Sequence, residues 1–123
     1  MIQIEEVEKI HDILIEKFGG AKGIRDRGTL ESAIGRPFQT FDGKDLYPNP
    51  VDKAAAIFES IISNHPFVDG NKRTAYVLMR LILKENKLDI NVGQNEKYEF
   101  VIKAAKGELT FDNIKDWIEK NVK

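Results

Sequence analysis

The sequence predicts an all-α protein: a bundle of about six helices around a central buried one, with at most a small β-hairpin. Three observations predict it. Apolar residues recur at the three- and four-residue spacing of a helix face in several separate stretches. Glycines and prolines fall between those stretches, where helices must stop. One Asp42-Gly43 dipeptide marks the place where a tight hairpin is favoured.

Val7, Ile10, Leu14 and Phe18 predict an amphipathic helix from about Glu5 to Phe18, stopped by Gly19-Gly20. The following Arg25-Asp26-Arg27-Gly28 run reads as a surface salt-bridge loop. Thr29 is placed to cap a short helix running to about Gly35, and Pro37 bars its continuation. Residues 37–50 are irregular and hold three of the four prolines, with Phe38 to Tyr47 surrounding the Asp42-Gly43 turn. Pro50 suits the first turn of a third helix, whose apolar face is Ala54, Ile57, Phe58, Ile61 and Ile62. That helix ends near Asn64, because Pro66 disfavours helical geometry at His65.

A fourth helix starts at Gly70 or Asn71 and runs to about Glu85. Ala75, Val77, Leu78, Met79, Leu81, Ile82 and Leu83 wrap it nearly all round, which marks it as the central helix. Leu88 to Val92 is extended or loop. Tyr98, Val101, Ala104 and Ala105 mark a fifth helix closed by Gly107. Thr110 caps a last one carrying Phe111, Ile114, Trp117 and Ile118.

At 123 residues the chain reads as one domain, spanning residues 1–123, with enough length to bury a core. Hydrophobic residues make up 41 % and charged ones 32 %, which argues against disorder. The net charge of −1 leaves no basic excess for free-standing nucleic-acid binding, so any cations that matter must be local. The absence of cysteine excludes disulfides, thiol catalysis and cysteine-ligated zinc. No apolar run reaches membrane-spanning length and no signal peptide is apparent, so a cytoplasmic protein is expected.

The run His65-Pro66-Phe67-Val68-Asp69-Gly70-Asn71-Lys72-Arg73 carries the chemistry. It places a titratable imidazole, a carboxylate, a turn glycine, an amide and two cations in one loop and the first turn of a helix. Taken singly, each has a structural reading: His65 as a helix-end residue, Asp69 as an N-cap, Gly70 as a turn residue. Lys72 and Arg73 alone would be a solvated first turn, yet that end of the helix dipole is positive and disfavours cations. Two cations there call for an anion, and a helix start offers free N–H groups to phosphate. His65 is then a base, Asp69 a hard oxygen ligand for Mg²⁺, and Lys72 and Arg73 partners for phosphate oxygens. His11, on the apolar seam of the first helix, reads as a satisfied core histidine. The two histidines have no metal-ligand spacing. The chain contains no Walker A loop, no His-Arg-Asp catalytic loop and no GxSxG elbow.

From His65 to Arg73 the chain resembles the signature of the Fic/Doc superfamily, which starts histidine-proline-phenylalanine and ends asparagine-lysine-arginine. Ile10-His11, Phe18-Gly19-Gly20, Arg25-Asp26, Leu30-Glu31-Ser32-Ala33 and Arg36-Pro37 look like its Doc (death-on-curing) branch, as do Tyr47-Pro48 and Lys53-Ala54-Ala55. The likeness covers most of the first ninety residues, and beyond them it is one of helix pattern alone. Lys72 and Tyr76 stand where AMP-transferring Fic enzymes typically have glycine and a second arginine, which points to the Doc branch.

The resemblance implies the toxin of a toxin–antitoxin pair. It implies transfer of the γ-phosphate of ATP to a threonine of elongation factor Tu, with Mg²⁺ as the metal. His65 would deprotonate the attacking hydroxyl, worth roughly 10²–10⁴ in rate. Asp69 would hold Mg²⁺. Gly70, Asn71 and Lys72 would form a backbone anion nest, with Lys72 and Arg73 neutralising charge on the transferred group. Phe67 would anchor the loop, Asn71 would orient it, and the Phe38–Tyr47 segment would be a target-binding flap. The family's self-inhibitory pattern is absent, so inhibition would come from a separate antitoxin chain. Two alternatives stay open: transfer of an AMP or phosphocholine group, and a non-catalytic phosphate- or partner-binding module. The presence of His65 speaks against the module, because a binding site does not need a base.

Overall fold

The computed structural model describes residues 2–123. Helix α1 spans Ile4–Phe18 and α2 spans Arg27–Gly35, continued by a 3₁₀ turn at Arg36–Phe38. A two-stranded hairpin follows, β1 at Thr40–Phe41 and β2 at Lys44–Asp45. Then come α3 (Pro50–Asn64), α4 (Asn71–Glu85), α5 (Gln94–Ala105) and α6 (Phe111–Asn121). The all-α class with a small hairpin is therefore the observed one.

Local chemistry sets most boundaries. Gly19 leaves the helical region at φ 88°, and Gly107 closes α5 at φ 76°. The Asn49 side chain accepts from Asp52 N–H at 3.0 Å, with Pro50 in the first turn of α3. Thr110 and Asn113 cap α6 reciprocally, at 3.1 and 3.0 Å. Thr40 pairs with Asp45 and Phe41 with Lys44, antiparallel, around Asp42 at φ 53° and Gly43 at φ 75°. Two positive φ values are what a tight hairpin turn needs.

Three expectations shift. Asp26, not Thr29, caps α2: its carboxylate accepts from Thr29 N–H at 3.1 Å, which holds that carboxyl below its usual range. The innermost face of α1 is Val7, His11 and Ile15, one position round from the expected seam, and Phe18 stays 50 % exposed. The hub is α3 rather than α4. Helices α2, α4, α5 and α6 all pack on α3, and it buries nine of its fifteen residues. Helix α4 lies along it and keeps Arg80, Lys84 and Glu85 outward.

The core runs through Leu30, Ile57, Phe58, Ile61, Leu78, Met79, Ile82 and Ile118. On α5 the inward aromatic is Phe100, while Tyr98 is 67 % exposed. Phe100 stacks on Trp117 of α6, ring centroids 3.8 Å apart, and on Phe58 of α3 at 5.0 Å. Lys115 pairs with the buried Asp52 at 3.0 Å, a second tie between α6 and α3. The 88–92 segment is extended: Ile90 bridges Val122, and Asn91 N–H donates to Asn121 O at 2.8 Å. Among the described residues no helix is long and apolar enough to cross a membrane.

Candidate active site

The loop between α3 and α4 is fixed from three sides. Below it, the buried His11 ring stacks on Phe67, centroids 3.8 Å apart, and His11 Nε2 meets the Asp69 carbonyl at 2.7 Å. His11 is thus a satisfied core histidine, and Phe67, 1 % exposed, is the loop's anchor. From α4, the Asn71 side chain grips Phe67 twice, accepting from its N–H at 2.9 Å and donating to its carbonyl at 3.0 Å. That pair of hydrogen bonds orients the loop. From the α1–α2 connection, Arg25 N–H and Asp26 N–H both donate to the Pro66 carbonyl, at 2.7 and 3.2 Å.

His65 is exposed at the C-terminal cap of α3, with φ 48° and ψ 59°. Pro66 disfavours the right-handed helical region there, and the chain takes the left-handed one, sparsely populated for a residue with a β-carbon. Arg25 Nε donates to His65 O at 2.6 Å and Nη2 to Asn64 O at 2.7 Å. The Arg25–Gly28 run is therefore more than a surface salt-bridge loop. Arg27 does pair with Glu8 and Glu31, at 2.9 and 3.4 Å, but Arg25 is turned onto the histidine loop.

Asp69 stands one residue outside the N-cap of α4, so it does not cap that helix. Its Oδ1 accepts from Gly70 N–H at 3.0 Å and its Oδ2 from Ala21 N–H at 3.2 Å. Gly70 itself is the N-cap, at φ 76°, and no side chain closes the helix start. The first backbone bond of α4 is Thr74 N–H to Gly70 O, so the N–H groups of Asn71, Lys72 and Arg73 stay open. The Gly70 N–H, expected in the anion nest, is taken by Asp69. Lys72 and Arg73 are both exposed, and among the described residues neither pairs with a carboxylate. The Arg73 guanidinium rests 4.1 Å over the Phe18 ring at the end of α1.

The hairpin is tied to the α3 scaffold by Arg36. Its Nε donates to Tyr47 Oη at 2.9 Å and its Nη1 to Ser60 Oγ at 2.9 Å, and it pairs with Glu59 at 2.8 Å. Lys53 adds bonds to the Tyr47 carbonyl and to Asp45. Phe41 and Leu46 are exposed at 75 % and 51 %, an apolar pair on an otherwise polar hairpin.

A family model described as Fic/DOC family matches residues 1–83, two thirds of the sequence and the whole of this site. The chain belongs to the Fic/DOC family. Its Fic/DOC relatives include "Toxin Doc" of Mycolicibacterium smegmatis, 45 % identical over 73 residues. That match takes in 59 % of this chain and 56 % of the relative, so it spans little more than half of that protein's length. "Protein kinase doc" of Escherichia phage P1 is 29 % identical over 119 residues, 97 % of this chain and 93 % of the phage protein. Both names fall in the Doc branch of the Fic/DOC family, the branch expected from the sequence.

Two features of this candidate site were not legible as such: Arg25, and the close approach of Gly20, where a β-carbon would stand 2.8 Å from Asp69 Oδ2. The available signal was Ile24, an apolar residue alone in a polar glycine-bounded loop. It bridges Phe67 and brings Arg25 alongside His65.

Proposed function

We propose that the chain is the toxin of a toxin–antitoxin pair, acting in the cytoplasm and silenced by a separate antitoxin chain. Its reaction is transfer of the γ-phosphate of ATP to a serine or threonine hydroxyl of a protein, with elongation factor Tu as the target. One observation carries the reading. An exposed histidine, held in an uncommon backbone conformation, is followed within one loop by an uncapped helix start bearing two cations with no carboxylate partner among the described residues. Side chains cap α2, α3 and α6; α5 also starts uncapped, at Gly93, but its first turn carries Glu96 where that of α4 carries two cations. The relatives named as a toxin and as a protein kinase support the same reading.

His65 takes the proton of the attacking hydroxyl through its imidazole. The N–H groups of Asn71, Lys72 and Arg73 face the phosphate oxygens, where fixed donors lower the energy of developing charge without reorganising. Lys72 and Arg73 add positive charge at the same place, and Asn71 keeps the loop rigid. The donor set fits Mg²⁺ that arrives with its phosphates. Asp69 offers one carboxylate with lone pairs to spare, and among the described residues no three acidic or histidine side chains gather to hold a metal alone. Bound there, Mg²⁺ supplies Lewis-acid charge to the phosphate oxygens. AMP transfer is disfavoured, because Tyr76 is 7 % exposed and no cation projects from its position.

The experiment is expression of the chain and of its His65→Ala variant in a bacterial host, with thermal unfolding of both. Growth arrest by the parent, no arrest by the variant and closely matched unfolding support the reading. A fully toxic variant contradicts it.

A further inference from the structure

Residues 23–26 form a strap along the histidine loop. Val68 N–H donates to Gly23 O at 3.0 Å, Ile24 bridges Phe67, and Pro66 O receives two backbone N–H groups. The Arg25 side chain adds the bonds to His65 O and Asn64 O. Residue 25 therefore holds the carbonyls of three consecutive residues, Asn64, His65 and Pro66. Two of them end α3, where helix carbonyls lack partners. Arg25 forms no ion pair among the described residues, so its fork serves the main chain alone.

We propose that Arg25 is a positioning residue for His65: its guanidinium fixes the peptide from which the imidazole projects. The inference rests on the reading of His65 as the base. A guanidinium is planar and presents its donors at a fixed angle, so it locks the two carbonyls as one unit. A lysine ammonium keeps the charge without the fork. Once the fork is gone, His65 relaxes toward the extended region favoured before proline, and its ring leaves its place. No hydrogen bond links Arg25 to Lys72, Arg73 or the start of α4, so nucleotide binding should be spared.

The test compares Arg25→Lys and Arg25→Ala with the parent and with His65→Ala. Three quantities are read: label transfer from γ-labelled ATP to protein in a bacterial extract, thermal unfolding, and the Cε1–H NMR signals. Only two histidines are present and His11 is buried, so the two signals separate cleanly. The maximal transfer rate should fall about 100-fold in both arginine variants. The KM for ATP should stay within about twofold. The His65 signal should move while that of His11 stays. If Arg25→Ala does not fold, Arg25→Lys decides. A Lys variant with the parent's rate and an unmoved His65 signal overturns the proposal. So does a rate loss that follows only the loss of folded protein. If His65→Ala keeps full transfer, the base assignment fails, and the NMR signal alone decides whether Arg25 sets the ring.

Discussion

The imidazole of His11 lies flat on the ring of Phe67, planes 6° from parallel, and its Nε2 is 2.7 Å from the Asp69 carbonyl. A carbonyl only accepts, so Nε2 carries the proton. One buried side chain of α1 thereby supports both the anchor of the site loop and the backbone of its carboxylate. The loop's shape is set from α1 as much as from the helices it joins.

His11→Leu keeps much of the volume and removes the stack and the hydrogen bond. Stability should fall by about 1–3 kcal/mol, the cost of an unpaired carbonyl and a lost aromatic contact. Transfer activity per folded molecule should fall too. Urea unfolding alongside label transfer checks this. An unchanged activity would make His11 a core residue with no bearing on the site.

Gly20 faces Asp69. A β-carbon there would stand 2.8 Å from Asp69 Oδ2 and 3.1 Å from Ile15 Cδ1, on a backbone at φ 116°. Gly20→Ala should therefore cost about 1–3 kcal/mol and push the carboxylate aside. A Mg²⁺ titration of transfer should shift to higher metal concentration. An unmoved titration would argue that Asp69 holds no metal.

Arg80 forks onto Asp89, at 2.9 and 2.8 Å, and holds its carboxyl at about 2, below the usual 3.8. The folded value lies below the unfolded one. The pair therefore stabilises the protein above about pH 4, and that contribution fades as pH falls toward 2. Asp89→Asn should lower the melting temperature at pH 7, with the gap to the parent closing across that acid window. Melts at several pH values decide; a gap independent of pH would contradict the pairing.

Lys72→Gly should lower phosphate transfer steeply, because it removes one of the two cations at the start of α4. Any AMP transfer gained should be small, since Tyr76 is buried and brings no second cation to the site. Intact-protein mass spectrometry separates the two additions. Undiminished phosphate addition would remove Lys72 from the site.

Much of this was legible because the signals are local. Pro50, Gly19, Gly107 and Thr110 act within a turn of where they stand, and Asp42-Gly43 makes its own hairpin. The cap of α2 was harder, since Asp26 and Thr29 are both cap residues three apart, and the carboxylate of one bonds the N–H of the other. On α1 the core reading of His11 holds, but Ile10, Leu14 and Ile15 are all apolar and adjacent to that line, and periodicity alone does not tell that Ile15 is the buried one. Phe100 was missed among charged neighbours on α5, where Trp117 and Phe58 draw it inward. Arg25 bonds residues some forty positions away, and no spacing rule reports such a contact.

We expect this site to move the terminal phosphate of ATP onto protein, with His65 as base. Parallel incubation of the parent and His65→Ala with γ-labelled and α-labelled ATP and a bacterial extract tests it most directly. The parent alone should place γ-label on a protein the size of elongation factor Tu, and neither should transfer α-label. Transfer of α-label, or γ-label undiminished in His65→Ala, would contradict it.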